Sequence, residues 1–274
     1  MPQGMNRRGV LGSKFVRTKK APTMNSRLFL TLLLPFAALT SQVNAAYTLV
    51  SGGATIDYDA AAWASLAGGA NVPGFEALVM DEFFNQAGVT SRTGTQILND
   101  EVVANPATTG LYHAMNGSTV TNLADRNNQA TTFAYEVGNP TGHTGVIGLG
   151  GITRWDVNPL LGGGQLGFGD YTLSYDPTRV LVGGTGWALR VNMIGGGVAF
   201  DLKNVTVNAT ETAFAMSGDL TVSYEMANFY LATPSNQGND VGNFSFSALA
   251  MAPEPTRMSL LMIGLVGAFF RRRR

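Results

Sequence analysis

Gly186-Trp187-Ala188-Leu189-Arg190-Val191-Asn192-Met193 is the stretch that decides the fold. Trp187, Leu189, Val191 and Met193 fall on one side of an extended chain, and Ala188, Arg190 and Asn192 on the other. The alternation predicts a β-strand with one buried and one wet face. Similar runs lie on both sides of it. Upstream are Tyr47-Thr48-Leu49-Val50, Ala54 to Tyr58, Thr131 to Val137, Gly145 to Leu149 and Asp170 to Asp176. Downstream are Val198 to Leu202, Val205 to Val207, Phe214 to Met216, Gly218 to Met226, Phe229 to Leu231 and Val241 to Leu249. All are short, rich in β-branched and aromatic residues, and bounded by Gly, Asn or Pro. Glycines cluster at Gly162-Gly163-Gly164, Gly183-Gly184 with Gly186, and Gly195-Gly196-Gly197, where turns at positive φ are expected.

One segment breaks the pattern. Phe75, Leu78, Val79 and Phe83 recur at helical spacing with Glu76, Asp81 and Glu82 between them, which predicts a short amphipathic helix capped by Gly88. Ala60 to Leu66 reads as a helical turn beside it, and Thr90 to Asn128 as loops and edge strands. Long helices do not alternate with the strands, so the expected fold is mainly β: an antiparallel sandwich or jelly roll, one domain over residues 46–252.

The rest of the chain concerns destination. Residues 1–45 carry seven basic side chains and no acidic one. After Arg27 comes the apolar run Leu28 to Leu39, then a polar stretch ending Val43-Asn44-Ala45. This is the order of a secretory signal, with cleavage expected between Ala45 and Ala46 by signal peptidase. Met24 opens a compact signal by itself. The body from Ala46 to Ala252 has six basic residues against 17 acidic, near −11 in all. Such a surface repels nucleic acid. Cysteine is absent, which excludes disulfides and thiolate metal sites.

At the other end, Pro253-Glu254-Pro255 precedes an apolar run, Met258 to Phe270, and then Arg271-Arg272-Arg273-Arg274. From Glu254 to Phe270 a helix would reach about 25 Å, a marginal transmembrane helix whose arginines stay on the cytoplasmic side. Triplet, short apolar helix and terminal arginine cluster together resemble the PEP-CTERM sorting signal of exosortase-processed bacterial envelope proteins. The resemblance covers residues 253–274 only. It implies recognition by an exosortase-like membrane transpeptidase, cleavage near the triplet, transient insertion in the inner membrane with the C-terminus cytoplasmic, and a final place in the cell envelope, on the outer surface or in extracellular matrix with exopolysaccharide. An ordinary anchor that stays in place gives the same topology.

Candidate chemistry in the body is sparse. The run Gly162 to Asp170 has the residues of a single calcium nonapeptide, but such sites need stacked copies, so it reads as a glycine-rich turn. Asp57 with Asp59, and Asp156 with Asn158, each share a strand face but supply only a fragment of a calcium shell. The doublets Asp81-Glu82 and Asp100-Glu101 point apart on any regular backbone, which excludes them as facing acid pairs. His113 and His143 sit in no hydrolytic or zinc motif and read as surface or turn residues. Asn116, Asn204, Asn208 and Asn243 open Asn-x-Ser/Thr sequons, incidental in a bacterial setting. Trp187 is expected in the core. Trp155, between Arg154 and Asp156, is the expected exposed platform for a sugar ring. The function that the resemblance to PEP-CTERM proteins implies is structural or adhesive, and the body is expected to hold no catalytic residue, metal or cofactor; the alternative is a secreted carbohydrate-binding or carbohydrate-active protein using a groove near Trp155.

Overall fold

The computed structural model describes residues 46–85, 91–99, 106–159, 162–193 and 196–252. The signal segment through Ala45, the doublet Asp100-Glu101, the helix cap at Gly88 and the tail from Pro253 to Arg274 lie outside the described residues. Within them the protein is mainly β and antiparallel throughout. Its strands are β1 (Tyr47–Tyr58), β2 (Leu78–Phe84), β3 (Leu111–Ala114), β4 (Ala134–Glu136), β5 (Asn139–Thr144), β6 (Ile147–Gly148) and β7 (Ile152–Val157). They continue with β8 (Gln165–Gly169), β9 (Thr172–Tyr175), β10 (Trp187–Arg190), β11 (Val198–Ala209), β12 (Ala213–Val222) and β13 (Asp240–Met251). Two short helices, α1 (Ala60–Ala64) and α2 (Gly94–Leu98), complete the regular structure with a few single turns.

Several expected strands prove to be halves of longer ones. Tyr47–Val50 and Ala54–Tyr58 form the single strand β1, which runs through Gly52-Gly53 with a register shift between Leu49 and Ser51. Val198–Leu202 and Val205–Val207 likewise join in β11 across a shift between Lys203 and Thr206, where Asn204 takes φ 49°. A bulge absorbs the extra residue and keeps the apolar face inward on both sides. Phe229-Tyr230-Leu231, expected as a strand, instead forms the end and C-cap of a π-helical turn over Met226–Tyr230.

The amphipathic helix expected over residues 75–83 is the strand β2. Its register slips between Met80 and Glu82, so Leu78, Met80, Asp81 and Phe84 are buried while Val79 is exposed. That bulge disrupts the two-residue alternation and leaves a spacing that mimics a helical one. The region after residue 90 holds more than loops: Thr93 and Gln96 form a reciprocal capping box that starts α2. Asp59 caps α1 by accepting from the Ala61 and Ala62 amides.

The long sheet has the order β5-β4-β1-β13-β12-β11-β10-β9-β6, with β3 also paired to β1. From β9 to β13 neighbours in sequence are neighbours in space, a meander. The sheet curls into a half-barrel. An isolated antiparallel bridge, Met115 to Leu149, ties the chain after β3 to the chain after β6. Hydrogen bonds from Asn116 N to Gly148 O and from Gly150 N to Ala114 O, both 2.8 Å, flank it. Hydrogen bonding therefore passes from β1 through β13 to β6 and back by β3.

The second sheet, β2-β7-β8, is a continuation of the first. Strands β6 and β7 are one arm of a hairpin and β8 and β9 the other; both bend at Gly150-Gly151 and Asp170-Tyr171, where Gly151 takes φ 118° and Asp170 φ 45°. The amide of Asp170 bonds Gly151 O and that of Leu149 bonds Tyr171 O, each at 2.8 Å, so pairing survives the corner. One apolar core fills the space between. Trp63 of α1 stacks on Trp155 of β7 with ring centroids 4.4 Å apart, and Tyr58 meets Trp155 edge-on at 5.1 Å. Trp187 is buried, as expected, among Phe133, His143, Tyr175 and Phe214.

Candidate functional site

Trp155 is not a surface platform. It is 1 % exposed, and its indole N–H donates to Thr153 Oγ1 at 3.0 Å. Position 155 lies inward on β7, between α1 and β1, and burying so large a ring against Trp63 is worth more than leaving it wet. The histidines also differ from expectation. His113 on β3 is fully buried between Phe83 and Tyr171, and neither ring nitrogen has a hydrogen-bond partner. Burial pushes its pKa down to about 4. His143 on β5 is half-buried against Trp187, ring centroids 4.7 Å apart, and burial lowers its pKa too.

The charged doublet is structural. Asp81 accepts from Arg154 Nε at 2.7 Å and Glu82 from Arg154 Nη2 at 3.3 Å, with Arg154 wholly buried and its guanidinium over the Phe84 ring. A second buried pair joins Arg126 to Asp170 through two parallel bonds of 2.7 and 2.9 Å. Arg179 bridges Asp201 and Glu225, with 2.8 Å to each Glu225 oxygen. Burial pushes the Glu225 carboxyl up, but the Arg179 hydrogen bonds more than offset this and hold it below the usual range. None of these three arginine sets announces itself in sequence, since the partners lie 22 to 73 residues apart.

The remaining candidates do not converge. Asp57 accepts from the Gly110 amide while Asp59 caps a helix. Asp156 meets Gln165, and Asn158 donates to Glu76 O at 2.8 Å. Gly162, Gly163 and Gly164 take φ 113°, 66° and 94°, as a tight turn demands, and Asp170 ends the run turned to Arg126. Among the described residues no three His, Asp or Glu side chains group as metal ligands, and no helix is long and apolar enough to cross a membrane. Ala46 is exposed; Ala45, Pro253, Glu254, Pro255, Arg271, Arg272, Arg273 and Arg274 lie outside the described residues.

What the fold does assemble is a cavity of about 550 Å³ lined by Asp125, Arg126, Asn127, Arg190, Asn192 and Met193, among others. Its wall is fixed from behind. Arg126 is held by Asp170, and Asn192 donates to Asp170 O and to Thr172 Oγ1 at 2.7 Å. Asp125, at φ 62°, accepts from Thr95 Oγ1 at 2.6 Å. Arg190 stands at the end of β10 on the face expected to be wet. The rest of that face is covered: Ala188 and Asn192 are buried, and Arg179 reaches over Asp201, the cross-strand partner of Ala188. Arg190 alone of the strand's outward side chains stays exposed. Comparison with known protein families, curated proteins and solved structures returns no match to this chain.

Proposed function

We propose that this is an exported, non-catalytic envelope protein with a structural or adhesive role, sorted through its C-terminal segment by an exosortase-like enzyme and associated with exopolysaccharide. The observation that carries the reading is the order Pro253-Glu254-Pro255, apolar run, arginine cluster in the sequence immediately after β13. The fold is compatible with it. Thr48 pairs with Met251, so the strand that follows Ala46 and the strand that precedes Pro253 lie side by side at one end of the long sheet. A body tethered by residues after Met251 extends its opposite end outward by about 40 Å, the length of a 12-residue strand. His113 is buried in the core, and Asp81, Glu82, Asp170, Asp201 and Glu225 are engaged by arginines. The curled antiparallel sheets enclose one apolar core, a build that needs no disulfide.

Intact mass spectrometry of the protein from its native host tests the sorting. The mature species lacks residues 1–45 and Arg271 to Arg274; replacing Pro253-Glu254-Pro255 by alanines leaves the arginines attached. A wild-type mass that retains Arg271 to Arg274 overturns the processing, and hydrolysis of any glycan by the body overturns the non-catalytic role. A second reading, carbohydrate binding, is favoured by the polar-rimmed cavity beside Arg190 in place of the groove at Trp155.

A further inference from the structure

We propose that the cavity at the end of β10 binds a small polyhydroxylated carboxylate of the hexuronate type, with Arg190 gripping the carboxylate. This rests on the carbohydrate-binding reading and names its site and ligand class. The first support is the state of the cations. In a body with six basic residues, Arg126, Arg154 and Arg179 are each fixed by carboxylates, the Arg92 guanidinium lies 5.6 Å from the Phe84 ring centre, and Lys203 donates to Gly238 O. Among the described residues Arg190 has no partner, and it is exposed on the rim of a cavity. A guanidinium is a planar fork whose geometry matches a carboxylate with two parallel hydrogen bonds, as the Arg126–Asp170 pair in the adjoining wall demonstrates.

The second support is what stands beside it. Asp125 and Asn127 line the same cavity and offer acceptors and donors of the kind hydroxyl groups need. Val191 and Met193, both nearly buried, close the cavity's inner edge. The volume, about 550 Å³, lies in the range of small-ligand sites, roughly 300–1,000 Å³. Preorganisation is the third. Arg126, Asn192 and Asp125 are locked by Asp170, Thr172 and Thr95, so much of the wall is set before the ligand arrives and the ordering cost on binding falls mainly on Arg190 and Asn127. The acidic body imposes a further condition. A polyanion passing over the surface is repelled beyond the cavity within about a Debye length, near 8 Å at physiological salt, so a single uronate unit or a chain end is the fitting ligand.

Isothermal titration calorimetry of the full chain with D-glucuronate, D-glucose and glycine tests this. Saturable glucuronate binding is expected, with D-glucose and zwitterionic glycine each at least tenfold weaker. Arg190→Gln weakens glucuronate about tenfold or more, and Arg190→Lys restores part of the loss. Since Arg190 is exposed, its variants keep the wild-type melting temperature. Failure of wild type to bind glucuronate at millimolar concentration overturns the proposal, as does equal binding of glucose or an unchanged affinity in Arg190→Gln. If neutral sugars bind and Arg190→Gln is indifferent, the carbohydrate reading stands and this site assignment falls; if no sugar binds, both fall.

Discussion

Replacing Asp170 by Asn removes one charge at the corner where the hairpin passes from one sheet to the other. Asn keeps the size of the side chain and tolerates the left-handed backbone at φ 45°, so the change isolates the ion pair from the turn. Arg126 is then left with a side chain 4 % exposed and no carboxylate within the pair. Breaking a buried pair by removing one member costs about 3–5 kcal/mol, most of it the stranded charge. For a folded body of this size each kcal/mol lowers the melting temperature by about 2–4 °C, so Asp170→Asn should melt roughly 6–20 °C below wild type. The double variant Arg126→Met with Asp170→Asn removes both charges and should recover to within about 1–2 kcal/mol of wild type, because an apolar replacement also escapes the desolvation cost. Thermal and urea unfolding of the full chain, followed by circular dichroism and tryptophan fluorescence, measures both. A loss under about 1 kcal/mol in the single variant, or a double variant as unstable as the single one, would refute the view that the pair's mutual neutralisation holds the corner.

Acid should unfold the protein through His113. Its folded-state pKa, about 4, lies below the ordinary 6.5, so the unfolded chain takes up the proton first as pH falls. Stability is then full above pH 6.5 and declines by about 3 kcal/mol down to pH 4; His113→Leu should flatten that limb of a stability–pH curve, and an unchanged slope counts against the assignment. Trp155→Ala should cost about 3–5 kcal/mol in urea unfolding, and at a temperature where the variant stays folded its glucuronate affinity should match wild type; a selective loss of sugar binding would return Trp155 to the surface. Thr93→Ala removes the cap of α2 and should cost about 1 kcal/mol, with faster amide exchange at Gln96; no change there would show that α2 is held by packing alone.

Where alternation was regular, the sequence was enough to identify the strands. In β13, Phe244, Phe246 and Ala248 are buried and alternate with exposed Ser245, Ser247 and Leu249, and Trp187, Leu189, Val191 and Met193 are buried as the period selects, although β10 itself ends at Arg190 and Ala188 and Asn192 are covered too. Legibility failed at bulges. The slip at Asp81 turned a strand into a helical spacing, and the irregularity at Lys203 to Thr206 cut one long strand in two. Both slips are set by pairing with a distant strand, and only the second carries a local mark, Asn204 at φ 49°, a backbone that Asn tolerates. Trp155 is hidden from a sequence reading for a related reason: its flanking charges point to exposure, but Arg154 is itself buried on an ion pair with Asp81, 73 residues upstream. The Arg190 cavity was half legible. Arg190 stood on the wet face as expected, while Asp125 and Asn127 were joined to it only by folding.

The position of β13 has a mechanical consequence. This strand lies between β1 and β12, in register over ten pairs with the first and nine with the second. Its hydrogen bonds run across the strand axis. A pull applied through the residues after Met251 and directed along that axis loads both ladders in shear, so the bonds resist together and cannot be peeled off one at a time. Had the chain left the sheet from an outer strand, the same pull would have unzipped it. The body is thus strongest against a pull along the axis of β13.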